Sequence, residues 1–357
     1  MKFLFVGTNP ENTGGATHFV ALAQALIESG HEVHVVTCAG GLIAQSLAQS
    51  SASLHYAAFR NAFDARGCRD VLAVAKQVRP HWLVGNFGKE YWPLVIIGRW
   101  LRVPVALFRH RTPPMKRLSA YGIPRLATRF FAVSEYARQA YLDRGIPDAL
   151  VHVLYNPVNL SKCLPDPARC CAIRHALGIS DDAIVLGYAG RMHGGKGIFT
   201  LIEAATAAMA EEPRLHCLWL GDGPEAAALR ARAAAGPKAD RHHFLGWIHD
   251  VGSYYSAMSV LAFPSIASET FGRVSIEAQA AGVPVIASQV GGVPETLHAG
   301  VTGLLLPPGD VESWRNAITM MCNEDFRRPM AEAARPYVQE RFSTKVIAEA
   351  FVRKLTS

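Results

Sequence analysis

Short apolar runs that end at glycine, proline or a polar turn residue, each followed by a segment of helical period, recur along most of this 357-residue chain. Lys2 to Val6 is the first such run; a glycine-containing loop from Asn9 to Gly15 follows it. Ala16 to Ser29 then places Phe19, Leu22, Ala23, Leu26 and Ile27 at helical spacing and stops at Gly30, before a second run, Val33 to Thr37. Strand, crossover helix and strand make a βαβ unit, and such units build parallel sheets. Trp82 to Gly85, Val103 to Phe108 and Phe130 to Val133 continue the series, the last leading into a helix with Ser134 as N-cap. The turn signal Tyr155-Asn156-Pro157-Val158-Asn159 and the two prolines between Cys163 and Pro167 mark an inter-domain linker.

The pattern then restarts. Ala183 to Ala189 reads as a strand, Gly190 to Gly197 as a glycine-rich loop and Ile198 to Ala210 as a helix. Leu215 to Leu220, His243 to Gly246, Val260 to Phe263, Val283 to Ala287 and Gly303 to Leu306 read as further strands. The expected fold class is α/β, with two doubly wound, Rossmann-like sheets facing a central cleft and a ligand at the strand C-termini. The expected domains are residues 1–160 and 161–342. A last helix, Thr344 to Leu355 within 343–357, has no strand after it and is expected to cross back to the first domain.

A chain this long exceeds one core, in agreement with two domains. Half of it is apolar (50%), an ordinary globular composition, so an ordered chain is expected. The seven cysteines form an odd set with no C-x-x-C pair and read as reduced thiols, not a disulfide frame or zinc site. The N-terminal apolar run is too short for a signal peptide, and Arg99 and Arg102 cut the run Leu94 to Ile97 short of a membrane span. A cytoplasmic protein is expected. The net charge of +7 is uneven: Tyr91 to Ser134 contains no Asp or Glu but holds Arg99, Arg102, Arg109, Arg111, Lys116, Arg117, Arg125 and Arg129. This window is either a solvated basic face or a docking surface for something anionic, a lipid headgroup layer or a phosphorylated acceptor. No nucleic-acid-binding motif accompanies the charge, so nucleic acid is not an expected partner.

Chemistry concentrates in a few loops. Pro264 ends an apolar strand, and an alanine-rich helix follows Gly272; Glu269 lies in the loop between them and Glu277 inside the helix. Two carboxylates so placed can accept hydrogen bonds from neutral hydroxyls, while amides near Phe271 and Gly272 at the helix start suit a phosphate or sugar oxygen. Gly190-Arg191-Met192-His193-Gly194-Gly195-Lys196-Gly197 brings two cations to a loop whose glycines admit close approach, which suits a diphosphate. Lys196 is followed by Gly197-Ile198, so no hydroxyl is offered to magnesium and a P-loop ATPase is disfavoured.

Thr13-Gly14-Gly15 lacks the G-x-G-x-x-G spacing, and no acidic residue ends the second strand, which counts against NAD. His110, between Arg109 and Arg111 just past a strand, should resist protonation and can serve as a neutral hydrogen-bond partner, or be a plain surface histidine. In Gly246-Trp247-Ile248, backbone groups can read a base edge and Trp247 can cover its face; Trp247 as a core cap is the alternative. Glu295, opening a helix after Gly291-Gly292, reads as structural.

Taken as a set, Gly190-Arg191…Lys196-Gly197, Glu269 and Glu277 with seven residues between, Ala281-Gly282-Val283-Pro284-Val285 and Gly291-Gly292…Glu295 resemble the retaining GT-B glycosyltransferases of family 4 (group 1), over most of residues 183–310. Gly14-Gly15, His110 and Ser134-Glu135 match more thinly. The resemblance implies a nucleotide-diphosphate-sugar donor. Arg191 and Lys196 would hold its diphosphate, with Gly14, Gly15, Phe271 and Gly272 close to it. Glu277 would take the ribose hydroxyls, Glu269 the hydroxyls of the transferred sugar, and His110 would lie near the reacting carbon.

The resemblance implies no metal and no cofactor beyond the donor, in keeping with the absence of a D-x-D near a strand end. It implies transfer with retention to a hydroxyl and leaves the acceptor open; the basic window suits a glycan or lipid-linked acceptor, in lipopolysaccharide or other cell-envelope glycan synthesis. The enzyme would rest on the inner membrane face through Arg99 to Arg129. A nucleotide-sugar epimerase on the same frame, or a non-catalytic nucleotide-sugar-binding protein, are the alternatives.

Overall fold

Along the first strand, side chains alternate between two apolar environments, and this alternation sets the architecture. Phe3 and Phe5 pack with Phe19, Leu22 and Leu26, whereas Leu4 and Val6 pack on the opposite face with Val71, Leu94 and Ile97. Successive strand residues point to opposite faces, so a strand buried on both must carry helices on both. The computed structural model describes residues 1–10, 13–111 and 115–357. Glu11 and Asn12 of the expected first loop, and residues 112–114 of the basic window, lie outside them.

The chain divides into two units, Met1–Pro157 with Thr344–Ser357, and Val158–Ser343. In the first, β1 (Lys2–Gly7), β2 (Glu32–Thr37), β3 (Ser53–Tyr56), β4 (Trp82–Gly85), β5 (Val105–Arg109), β6 (Arg129–Ala132) and β7 (His152–Val153) form a parallel sheet in the order β3-β2-β1-β4-β5-β6-β7. In the second, β8 (Ile184–Ala189), β9 (Leu215–Leu220), β10 (His242–Gly246), β11 (Val260–Phe263), β12 (Val285–Ser288) and β13 (Gly303–Leu306) form another, ordered β10-β9-β8-β11-β12-β13. Both are doubly wound α/β sheets of Rossmann type, as the strand–helix alternation implies.

The helix Thr344–Thr356 belongs to the first unit. Its Phe351 ring lies 6.0 Å from Phe3 and 5.5 Å from both Phe108 and Phe131, and Arg129 Nε donates to the Lys354 carbonyl at 2.7 Å. Residues 158–160, expected in the first domain, belong to the second unit. There the Val158 amide donates to the Phe342 carbonyl at 2.8 Å and Arg335 reaches the Cys163 carbonyl at 3.1 Å.

Two local expectations change. Gly14 and Gly15 are not loop residues but the first turn of the helix Gly14–Glu28, because Thr13 caps it by accepting from the Ala16 amide at 3.3 Å. The edge strand Ser53–Tyr56 escapes the apolar pattern because neither of its faces is fully buried. Ser134 is the N-cap expected of it, accepting from the Ala137 amide at 3.0 Å. Among the described residues, no helix is long and apolar enough to cross a membrane.

Candidate active site

In each sheet the strand order reverses beside the first strand of its unit, between β1 and β4 and between β8 and β11. Loops leaving the two strands at such a point diverge to opposite faces and leave a crevice at the carboxyl edge. Most of the candidate residues lie in loops near these two places, whereas Gly246, Trp247 and Ile248 follow β10 at the edge of the second sheet.

In the second unit the loop after β8 and the loop after β11 are stitched together. The Ile266 and Ala267 amides donate to the Gly195 carbonyl at 3.0 and 2.9 Å. Gly197 has φ +67°, and a Cβ there would stand 1.8 Å from the Pro264 carbonyl oxygen, so only glycine lets the loops meet. This contact brings Lys196 onto Glu269: Nζ donates to Oε1, which also accepts from Ser265 Oγ at 2.7 Å. Ser265 is buried, and both members of the ion pair are largely shielded from solvent. A third loop, after β12, closes on the same carboxylate residue, with the Gly292 amide donating to the Glu269 carbonyl at 2.8 Å.

Glu277 lies one helix further, on Arg273–Ala280. Arg273 Nη2 donates to its Oε1 at 3.0 Å and the Tyr255 hydroxyl to its Oε2 at 3.2 Å. Burial, reinforced by the Glu277 charge, holds the Tyr255 hydroxyl well above its ordinary pKa, so it remains a donor. The site thus offers a cation–carboxylate pair beside a glycine loop and a second carboxylate held by an arginine and a tyrosine. Oxygen acceptors of this kind suit sugar and ribose hydroxyls, and the cations suit phosphate.

In the first unit, His110 follows β5 and its Nε2 lies 2.7 Å from Asn86 Oδ1; Asn86 Nδ2 donates to the Gly15 carbonyl at 2.6 Å. The fully buried His18 ring stands 4.6 Å from His110 and 4.8 Å from Phe108. In the same unit, the fully buried Glu90 accepts from the Thr8 amide at 2.6 Å, the Thr8 hydroxyl at 2.9 Å and the Phe87 amide at 3.3 Å. Burial outweighs those bonds and the nearby Lys89, and pushes the Glu90 carboxyl up to about 7.

The structure therefore brings Lys196 to Glu269, and Gly15 to His110 through Asn86. Glu277 is held by other partners, Arg191 is exposed, and the Arg191 carbonyl accepts from Tyr188 at 3.0 Å. The Phe271 side chain is core, edge-on to Phe342 at 5.7 Å, and Gly272 opens its helix with φ +111°. Gly246 ends β10 with φ +70° and its carbonyl accepts from the Gly221 amide at 2.7 Å. Trp247 is 66% exposed, so it is not a core cap; Ile248 is half-buried. Among the described residues, no three or more His, Cys, Asp or Glu side chains gather as a metal site.

A family model described as Glycosyl transferases group 1 matches residues 183–324, and one described as Glycosyltransferase Family 4 matches residues 12–162. The chain belongs to the group 1, family 4 glycosyltransferases. It is 27% identical to the D-inositol 3-phosphate glycosyltransferase of Corynebacterium urealyticum, over 93% of this chain and 82% of that protein. It is 32% identical to the enzyme of the same description from Kribbella flavida, over 72% of this chain and 66% of that one. Among solved structures it is similar to Anabaena HepE in complex with UDP and glucose, with TM-score 0.84, 23% identity and full coverage of both chains. At that identity the likeness establishes the GT-B fold.

The group 1 match takes in Arg191, Lys196, Gly246, Trp247, Ile248, Glu269, Phe271, Gly272 and Glu277; the family 4 match takes in Gly14, Gly15 and His110. Ser265, Tyr255, Arg273 and Asn86 are the residues that sequence reasoning gave no role. For Asn86 the available signal was its place, directly after β4 at the reversal point of the sheet.

Proposed function

We propose that this glycosyltransferase is metal-independent and retaining, and moves a sugar from a nucleotide diphosphate to a hydroxyl of a glycan or lipid-linked acceptor. The observation that carries the reading is the Lys196–Glu269–Ser265 cluster against the glycine loop, at the reversal point of the second sheet. Breaking the anomeric C–O bond leaves negative charge on the diphosphate, which Arg191, Lys196 and the amides after Gly272 would stabilise. The acceptor oxygen bonds to the anomeric carbon on the face the diphosphate leaves, and its proton passes to the departing phosphate oxygen. Glu269 and Glu277 hold sugar and ribose hydroxyls through this step.

HepE was crystallised with UDP and glucose, and the relatives named above are described as acting on D-inositol 3-phosphate. A UDP-sugar with an inositol phosphate or a cell-envelope glycan, lipopolysaccharide included, is therefore the first pairing to assay. Turnover that survives chelation of divalent ions, with retained anomeric configuration in the product, supports the reading. Product formed without added acceptor would favour an epimerase. Binding without any turnover would favour a non-catalytic protein.

A second observation favours an anionic membrane surface as partner of the first unit. Ile96, Trp100, Leu118 and Tyr121 are exposed large apolar side chains, and Arg99, Arg102, Lys116 and Arg117, close to them in sequence, are exposed too. Exposed apolar side chains together with exposed cations suit the boundary of an anionic bilayer. Co-sedimentation with phosphatidylglycerol vesicles but not with phosphatidylcholine vesicles, weakened by Trp100→Ala with Leu118→Ala, is expected. Failure to sediment with either would end this reading.

A further inference from the structure

We propose that Asn86 is a positioning residue that fixes which nitrogen of His110 carries the ring proton and ties that ring to the first turn of the helix Gly14–Glu28. For its effect on turnover the proposal rests on the reading of His110 as the group beside the transferred sugar; its structural part does not.

Asn86 is buried, and both ends of its amide are engaged. One end lies 2.6 Å from the Gly15 carbonyl oxygen. A carbonyl oxygen only accepts, so that end must be the NH2. Turned the other way, the amide would press two acceptors together in a buried place, which is costly. The remaining end is then Oδ1, 2.7 Å from His110 Nε2. An amide oxygen also only accepts, so Nε2 must carry a hydrogen. The neutral ring is the Nε2–H tautomer, and Nδ1 is the nitrogen that gains and loses the titrating proton.

Position 15 packs directly against this polar pair, so an added methyl group there would crowd His110 by a few tenths of an ångström. A Cβ there would stand 3.3 Å from His110 Cδ2 and 3.5 Å from Asn86 Nδ2. One amide thus links the segments that follow β1, β4 and β5, and a displacement of the helix start is passed to the His110 ring. Asn86 acts on His110 through a bond that crosses 24 residues of chain.

The test uses the full chain with 15N-labelled histidine and long-range proton–nitrogen correlation spectra, with His110 assigned by comparison with His110→Gln. In the wild type above the titration midpoint, Nε2 is expected to show the protonated signature and Nδ1 the bare one. Asn86→Ala should raise the share of the Nδ1–H tautomer. Asn86→Asp places a carboxylate against Nε2–H, favours the charged ring and should raise the His110 midpoint by about one pH unit or more.

In turnover, Asn86→Ala should lower kcat by about 100-fold, the scale of a misplaced reacting group, while the donor KM stays within about threefold. A neutral wild-type ring protonated on Nδ1 overturns the proposal, as does an unchanged tautomer in Asn86→Ala. If Asn86→Ala does not fold, the wild-type tautomer and the Asn86→Asp midpoint decide. A wild type that turns over no nucleotide sugar would sink the transferase reading alone, because the spectra need no turnover.

Discussion

Replacing Gly291 by alanine should damage the donor site from a position that bears no functional group. Its φ is +54°, and a Cβ there would stand 2.0 Å from the Glu269 carbonyl oxygen, 2.8 Å from its amide nitrogen and 3.0 Å from its carbonyl carbon. The atoms in the way are backbone, which cannot swing aside as a side-chain tip can. To clear even 3.0 Å the carbonyl must retreat by about 1 Å, and its 2.8 Å bond from the Gly292 amide is lost. Gly300 is the control: φ is +77° with nothing within 4 Å of its Cβ position. Both alanines carry the left-handed backbone penalty of about 1–2 kcal/mol. Only Gly291→Ala adds a broken hydrogen bond of about 1 kcal/mol. Urea titrations should therefore place Gly291→Ala at least about 1 kcal/mol below Gly300→Ala. Because Glu269 carries Lys196 and Ser265, turnover should fall by up to about 100-fold in Gly291→Ala and be unchanged in Gly300→Ala. Equal stability of the two variants, with wild-type donor binding in Gly291→Ala, would refute the reasoning.

Glu90 gives a pH signature. Burial raises its native pKa from an ordinary 4.5 to about 7, so the folded chain keeps a proton that the unfolded chain releases. Stability from this group is complete below about pH 4.5 and is lost as pH rises to about 7, a difference of about 3 kcal/mol. Urea midpoints at pH 5 and 7.5 should converge in Glu90→Gln relative to wild type; parallel pH dependence in the two would contradict this. Trp247→Ala should leave stability within about 0.5 kcal/mol, because the ring is exposed. If that ring covers the base, donor affinity should weaken by about two- to tenfold; unchanged affinity removes Trp247 from the site.

The parts of this protein that were legible in its sequence are those where one residue type answers one demand. Val260 to Phe263 is a strand buried on both faces, and its apolar run ends at Pro264 as a buried parallel strand must. The glycine loop with Lys196, and Glu269 before a helix, stood out because few other demands put those residues together. The edge strand Ser53–Tyr56 was illegible because its sides are only partly covered, so no alternation was imposed. Asn86 and Ser265 were missed for a different reason. Each acts on a partner distant in sequence or hidden by a turn, and a lone Asn or Ser after a strand reads as punctuation. Glycine favours turns, so Gly14 and Gly15 read as loop from the sequence, whereas the Thr13 cap makes them the first turn of the helix.

Calorimetric titration with UDP-, GDP-, ADP- and CMP-sugars tests the donor site most directly. One of these is expected to bind saturably at one site per chain, with Lys196→Ala and Glu269→Ala each weakening it by about tenfold or more, as loss of a charge-assisted hydrogen bond requires. Absence of binding by all four, or affinity indifferent to both substitutions, would contradict the account.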